Sequence, residues 1–169
     1  DQFIKEKHER IGILSGMEYT KGSRHEIDDP RFLVFREYLT RLKLYNEADH
    51  LQGAFTIEGG YTAMKTYLES HTDYPTAFFA SSDALAIGAM RAIQGHGLRI
   101  PEDISVIGFN DVSVAKYVTP ALTTVKVYTE WMGELAVSTI LELIQEKAPV
   151  PRKITVGTEL ILRESTRDS

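Results

Sequence analysis

The stretch from Phe78 to Asp111 constrains the fold of this chain more than any other part, because it has the pattern of a complete strand–helix–strand unit. The run TAFFA (residues 76–80) is short and apolar, which is typical of a strand buried on both faces of a parallel sheet. Residues 84–94 are mostly good helix formers, and Pro101 and the glycines before it end that helix. The run ISVIGF (residues 104–109) predicts a second buried strand. A crossover of this length makes the two strands parallel and the connection right-handed.

The rest of the chain continues the alternation of strands and helices. Additional strands are predicted at residues 11–16, at the end of 44–56, at 122–127, 154–156 and 159–162, and additional helices at 30–42, 58–70 and 130–147. Asp28 or Asp29 is expected to cap the helix that begins at Pro30, and Arg163 to Ser169 are expected to fray. The pattern predicts an α/β fold: a doubly wound, mostly parallel sheet with helices on both faces.

Composition excludes several classes of function. The formal net charge of −5 argues against a segment that grips nucleic acid by itself. The chain has no cysteine, so a disulfide framework and a thiolate metal site are both excluded. No apolar run approaches the roughly 20 residues of a membrane span, so we expect no membrane partner. Because the chain has no initiator Met and no signal-peptide pattern, we expect a piece cut from a longer protein.

The sequence gives no positive support for catalysis or for a cofactor. Its five histidines are scattered and form no HxxxH pair, which makes a metal site an unfavoured hypothesis. No nucleophile elbow, P-loop or GxGxxG motif occurs. The acidic pairs are consecutive, so their side chains point in different directions. We therefore predict that the protein is not an enzyme and has no cofactor.

Polar and aromatic side chains follow the predicted strands at their carboxyl ends, where open α/β sheets bind ligands. The candidate ligand-binding residues are Arg31, Phe55, Ser82, Asp83 and Asn110. Each has an alternative role: Asp83 as a helix cap, Asn110 as a turn residue, Arg31 as a solvated or acid-paired side chain, and Phe55 as hydrophobic packing. Together they suit a sugar, because hydroxyl groups need charged or amide partners and sugar C–H faces need an aromatic surface.

Longer phrases carry a resemblance to a known family. The run SSDALAIGAMRAIQGHGLRIPEDISVIGFND, followed by Tyr117, Pro120 and LTTV, resembles the effector-binding core of lactose/galactose repressor (LacI/GalR) family transcription regulators. The phrase GLRIPEDISVIGF is a specific signal. The resemblance extends from HERIGILSG near the start of the chain to LILREST near its end.

The resemblance implies roles for individual residues. In the family pattern, an arginine four residues before an aromatic contacts the effector, which corresponds to Arg31. An aromatic before an xxGY helix stacks on the effector, which corresponds to Phe55. The position before the Asp of SSD implies contact by Ser82 and leaves Asp83 mainly as the cap. The family's GFDD motif is GFND here, so Asn110 stands where an effector-binding aspartate is usual.

The resemblance also implies an organisation and a function. Residues 1–127 would form the C-terminal effector-binding subdomain, 128–150 a helix that packs in an absent N-terminal subdomain, and 151–169 the return strands and tail. The helix is then expected either to reorient or to bury Trp131 and Leu135 against another chain.

The implied protein is a cytoplasmic repressor and a homodimer. It senses a small effector, a sugar or sugar phosphate with galactosides among the candidates, and binds operator DNA only through a missing N-terminal headpiece. The alternative is a periplasmic-type sugar-binding protein of a transporter, and a Rossmann-like enzyme is the least supported class.

Overall fold

The computed structural model describes residues 1–18, 29–145 and 150–167, which contain six strands and five α-helices. The strands are β1 (Ile11–Gly16), β2 (His50–Gly53), β3 (Ala77–Ala80), β4 (Ser105–Asn110), β5 (Thr123–Lys126) and β6 (Glu159–Ile161). The helices are α1 (Gln2–Lys5), α2 (Pro30–Arg41), α3 (Ile57–Ser70), α4 (Asp83–Gly95) and α5 (Thr129–Gln145). The strands form one sheet in the order β2-β1-β3-β4-β5-β6, parallel except for β6, which is antiparallel to β5.

The predicted central unit is confirmed as β3, α4 and β4. Strands β3 and β4 pair in parallel, with Ala77 opposite Ser105 and Phe79 opposite Ile107. Helix α4 ends at Gly95, and Gly97 follows with φ +84°, a conformation that glycine adopts without a Cβ clash. The apolar runs therefore specify the strands, and the glycines specify where the helix between them ends.

Helices cover both faces of the sheet, as predicted. On one face, α3 and α4 enclose the larger core. Its largest fully buried side chains include Leu14, Met64, Leu68, Phe78, Leu85, Ile93, Ile104, Val106 and Leu122. On the other face, α1 and α2 form a smaller core in which Leu39 packs with Phe3, Ile11, Ala77 and Ile107. The sheet is thus buried on both sides, which is why its central strands are almost wholly apolar.

The carboxyl-terminal part of the chain differs from the prediction in two ways. Residues 154–156 do not form a strand, and β6 is the antiparallel edge strand. The expected fraying is wrong for residues 163–167. Ser165 and Thr166 are buried, the Ser165 carbonyl accepts from the Val106 N–H, and the Ser165 N–H donates to the Ala121 carbonyl. The Ser165 hydroxyl also donates to the Val106 carbonyl and accepts from the Thr123 N–H, which fixes the segment against β4 and β5. Tertiary hydrogen bonds therefore order a polar segment that sequence pattern alone assigns to a tail.

Helix α5 lies away from both cores. None of its described residues is buried, and its exposed apolar side chains are Trp131, Met132, Val137, Ile140, Leu141, Leu143 and Ile144. The last residues of the predicted helix, and most of the predicted loop after β1, lie outside the described residues.

Candidate functional site

An open depression of about 400 Å³ lies where the parallel strands end. We call it the carboxyl-edge depression. Its lining residues come from the segment after β1, from the loops after β2 and β4, and from the first turns of α2, α3 and α4. They are Glu18, Arg31, Phe55, Ile57, Ser82, Ala84, Ile87, Asn110, Val112 and Val114. Four of the five candidate residues therefore share one surface, although they are distant in sequence.

Arg31 is held in a fixed orientation at this surface. Its Nε donates to Asp29 Oδ1 at 2.8 Å, and its Nη1 donates to the carbonyl of Ser81 at 2.7 Å. The guanidinium carbon lies 5.3 Å from the ring centroid of Phe55 and 5.4 Å from that of Phe109. Both separations are within the range of cation–π contacts. Arg31 is thus acid-paired, as one alternative proposed, and it also lines the depression.

Asp29 has two functions at the start of α2. Its Oδ1 accepts from the backbone N–H of Arg31 at 2.9 Å, so Asp29 is the N-cap of the helix, which confirms one of the two predicted caps. The same oxygen accepts from Arg31 Nε. Pro30 between them occupies the first helical position, where it has no N–H to leave unpaired.

Phe55 lies between β2 and the cap of α3, with its ring against the end of β1. A Cβ added to Gly16 would lie 2.1–2.3 Å from three carbons of the ring, so only glycine fits there. The next residue, Thr56, caps α3 through a 3.0 Å bond from the Gly59 N–H. The close approach of Phe55 to β1 and the cap at Thr56 together orient the ring.

Ser82 caps helix α4 and also lines the depression. Its hydroxyl accepts from the backbone N–H of Leu85 at 3.3 Å. The prediction that Asp83 is the cap is therefore wrong, because Asp83 is already the first residue of the helix. The neighbouring Ser81 hydroxyl accepts from the Gly16 N–H at 3.2 Å and joins the ends of β3 and β1.

Asp83 does not line the depression but lies beneath it, fully buried. Its Oδ1 accepts from the Thr124 hydroxyl at 2.5 Å, and its Oδ2 accepts from the Val112 N–H at 2.8 Å. A Cβ on Gly108 would come within 2.3 Å of Oδ1, so the glycine of GFND makes room for this carboxylate. Asp83 thus ties α4 to β5 and to the turn that follows β4.

Asn110 ends β4 at the depression, with φ +119°, and the next residue, Asp111, has φ +59°. Asparagine and aspartate tolerate positive φ better than most residues. Within the described part of the chain, no hydrogen bond engages the Asn110 side-chain amide, whereas the Asp111 carboxylate accepts from Arg163 Nη2 at 2.6 Å. The turn is held by Asp111 and Asp83, and the Asn110 amide is left available to a ligand.

Sequence reasoning missed the apolar rim of the depression and one of its acids. Ile57, Ile87, Val112 and Val114 line it, as does Glu18, which follows β1. Extending the strand-end rule to two or three residues after each strand would have found Glu18 and Val112. Ile57 and Ile87 face the depression only because α3 and α4 lie side by side.

The described residues contain no group of three or more His, Asp or Glu side chains able to hold a metal ion. Among them, too, no helix has both the length and the apolar character needed to cross a bilayer.

Comparisons with known proteins agree with this architecture. The sequence model of a family described as a periplasmic binding protein-like domain matches residues 1–166. The HTH-type transcriptional regulator GalR of Streptococcus thermophilus is 39% identical over 166 residues, covering 98% of this chain and 50% of that protein. The complex of the transcriptional regulator CelR with cellobiose superposes with a TM-score of 0.83 at 30% identity, covering 96% of this chain and 48% of that one. The Lac repressor bound to ONPG gives a TM-score of 0.84 at 29% identity, covering 97% of this chain and 48% of that one.

These similar proteins are transcription regulators, so the comparisons do not favour the alternative of a transporter's sugar-binding protein. The chain spans about half the length of the curated relatives it matches. The resemblance inferred from the GLRIPEDISVIGF phrase is confirmed. The chain belongs to the periplasmic binding protein-like domain family, within the LacI/GalR group of transcription regulators.

Proposed function

We propose that this chain is the effector-sensing part of a LacI/GalR-type repressor, and that its effector is a sugar or sugar phosphate, with galactosides among the candidates. The observation that carries the proposal is that Arg31, Phe55, Ser82 and Asn110 line one depression at the carboxyl edge of the sheet. A guanidinium, a hydroxyl and an amide are suitable partners for ring hydroxyls. The exposed part of Phe55 offers an apolar surface for C–H groups. Similarity to regulators solved with cellobiose and with ONPG supports a carbohydrate.

We further propose that this depression is one wall of a cleft. Residues 1–127 and 151–169 would form the C-terminal subdomain, and residues 128–150 a helix that packs in an N-terminal subdomain. The exposed apolar side of α5 supports this arrangement, because soluble proteins rarely leave such a patch uncovered. So does the length of the relatives, of which this chain spans about half.

In the whole protein, the effector would bridge the two subdomains and shift an equilibrium between open and closed forms. A headpiece N-terminal to this chain would bind operator DNA, and the protein would be a cytoplasmic homodimer that reads a palindromic site. Coupling between effector and operator sites is typically about 1–3 kcal/mol. No catalytic step or cofactor is part of this proposal. The net charge of −5 suits a sensor that leaves DNA contacts to another domain.

Isothermal titration of the full-length protein against galactosides, glucosides and sugar phosphates tests the proposal. At least one compound should bind, and Asn110→Ala should weaken it by about tenfold, the equivalent of ~1.4 kcal/mol. Asn46→Ala is the matched control. Asn46 caps the 3-10 helix Glu47–Asp49, which directly precedes β2 and so lies at the amino edge of the sheet, opposite the depression. If no compound in the panel binds, or if both variants lose affinity equally, the result would count against a sugar effector at this site.

The position of α5 has its own test. Hydrogen exchange of the full-length protein should show slow exchange of the α5 amides. Its fluorescence spectrum should show a blue-shifted Trp131 emission, as expected for a buried helix face. Fast exchange across the whole helix would contradict the proposed packing.

A further inference from the structure

The charges around the carboxyl-edge depression indicate which sugars it selects. We infer that this wall of the site favours an uncharged sugar over a sugar phosphate or a uronic acid, and that Asp29 sets this preference as a positioning residue. The inference rests on the proposed function and narrows the class of effector.

Among the described residues, Arg31 is the one cation that lines the depression, and its charge is already compensated. Its Nε–H forms a 2.8 Å ion pair with Asp29, whose side chain is only 8% exposed. The second carboxylate oxygen, Asp29 Oδ2, is buried and has no hydrogen-bond partner in the described part of the chain. A carboxylate in this condition needs its cation, because burying an unpaired charge is strongly unfavourable. Arg31 therefore serves as the counter-ion of Asp29 before any ligand arrives.

Pairing with Asp29 removes the net charge of Arg31 but not its ability to donate. A guanidinium has five N–H donors. One is used by Asp29 and one by the Ser81 carbonyl, which leaves donors on Nη1 and Nη2. The contacts with Phe55 and Phe109 restrict the plane of the group. The site thus offers oriented hydrogen-bond donors without net positive charge, which suits a hydroxyl oxygen and not a phosphate.

The other groups at the depression add negative charge or none. Glu18 lines it as an exposed carboxylate. Asp83 lies beneath it, and its hydrogen-bond donors, the Thr124 hydroxyl and the Val112 N–H, are neutral. Asn110 brings an uncharged amide. Among the described lining residues, no cation besides the paired Arg31 offsets these carboxylates, so a phosphate or carboxylate entering here would meet like charge, which opposes binding.

The apolar residues of the rim make the preference stronger. Ile57, Val112 and Val114 line the same depression, and a ligand that covers these exposed apolar side chains would itself be partly shielded from water. In a partly dehydrated site, the interaction energy between two charges is larger than in bulk water. A sugar ring, with hydroxyls on its edge and C–H groups on its face, satisfies both kinds of surface.

Matched pairs of ligands test this inference on the full-length protein. Galactose is titrated against galactose 6-phosphate and against galacturonate, and glucose against glucose 6-phosphate. In each pair that shows binding, the neutral sugar should bind more tightly by at least about tenfold, or ~1.4 kcal/mol. A charged sugar that binds as tightly as its neutral partner would overturn the inference while leaving the sensor function intact. Absence of binding by every neutral and charged sugar would overturn the proposed function itself.

The variant Asp29→Asn isolates the residue responsible. Asparagine is as good an N-cap as aspartate, so α2 should still begin at Pro30. The variant frees the charge of Arg31, and the ratio of neutral to anionic affinity should fall by about tenfold relative to the unmodified protein. Because the rest of the cleft is the same in both proteins, its charges cancel in this comparison.

The control is Asp103→Asn, which removes another arginine-paired carboxylate, 2.8 Å from Arg99, away from the depression. It should leave the affinity ratio unchanged. An unchanged ratio in Asp29→Asn, or an equal change in both variants, would overturn the role given to Asp29.

Discussion

The hydroxyl of Thr124 donates to Asp83 Oδ1 at 2.5 Å, and both side chains are buried beneath the depression. This bond joins the first residue of α4 to strand β5. The other oxygen of Asp83 receives the Val112 N–H and so fixes the turn that carries Asn110. The Asp83 carboxylate, which the sequence suggested as a ligand contact, thus holds β5 and the turn after Asn110 in place.

Replacing Asp83 by alanine should destabilise the protein. It leaves the buried Thr124 hydroxyl without its acceptor, at about 1–3 kcal/mol, and the part-buried Val112 N–H also loses its partner. Asp83→Asn keeps one acceptor and should lose less. Urea denaturation measures both, with Asp73→Ala as control, since the Asp73 side chain is 93% exposed. If Asp83→Ala lowers the free energy of unfolding no more than the control does, the stabilising role given to Asp83 is wrong.

A methyl group at Gly16 should move Phe55. The added carbon would overlap the ring, so Gly16→Ala should lower stability by about 1–3 kcal/mol and weaken any effector that uses the Phe55 surface. Gly133→Ala is the opposite case: nothing lies within 4 Å of its Cβ position in α5. That substitution should stabilise the helix by about 0.5–1 kcal/mol. Thermal unfolding and titration of the two variants check both expectations, and equal effects would contradict them.

Two arginine–carboxylate pairs should differ in their contribution to stability. In the Arg163–Asp111 pair, the side chains are 17% and 15% exposed, and Arg163 also donates to the carbonyl of Leu122. Arg163→Met should therefore lower the free energy of unfolding by about 1–3 kcal/mol, because polar groups lose buried partners. In the Arg152–Glu142 pair, the side chains are 44% and 61% exposed. Arg152→Met should cost about 0–1 kcal/mol, and chemical denaturation in which it costs as much as Arg163→Met would contradict this ranking.

Stability should fall on acidification because of His8. Burial lowers the pKa of His8 in the folded state; the hydrogen bond that the His8 ring makes to the Glu6 carboxylate opposes this shift, and the charge of Arg167 adds to it. The unfolded chain, with an ordinary pKa of about 6.5, then binds more protons than the folded one. The free energy of unfolding therefore decreases as pH falls through that value towards the lowered pKa.

The variant His8→Gln should flatten this dependence in denaturant titrations at a series of pH values. The exposed His96 provides the control substitution, His96→Gln, which should retain the slope of the unmodified protein. If His8→Gln and the unmodified protein lose stability in parallel between about pH 5 and about pH 7, another group is responsible.

Local sequence pattern predicted the strands and helices well where apolar residues or good helix formers dominated a segment. Strand β1 has the predicted bounds, and β3, α4 and β4 lie within a residue or two of theirs. The predictions failed where polar residues have several possible partners. Ser82 and Asp83 are adjacent and both can cap a helix, and only the geometry of the β3–α4 turn selects Ser82. The buried tail at Ser165 likewise depends on β4 and β5, which are distant in sequence.

The parallel α/β architecture and the edge of the sheet at which polar groups gather could be predicted from the sequence, because apolar periodicity and strand-end positions are local properties. The family followed from the resemblance of the GLRIPEDISVIGF phrase. Tertiary structure alone decided which of those groups face the depression. It placed Asp83 underneath, paired Arg31 with Asp29, and left the Asn110 amide available. The physical reason is that a polar side chain takes whichever partner the fold brings within hydrogen-bond distance, and that partner can lie anywhere along the chain.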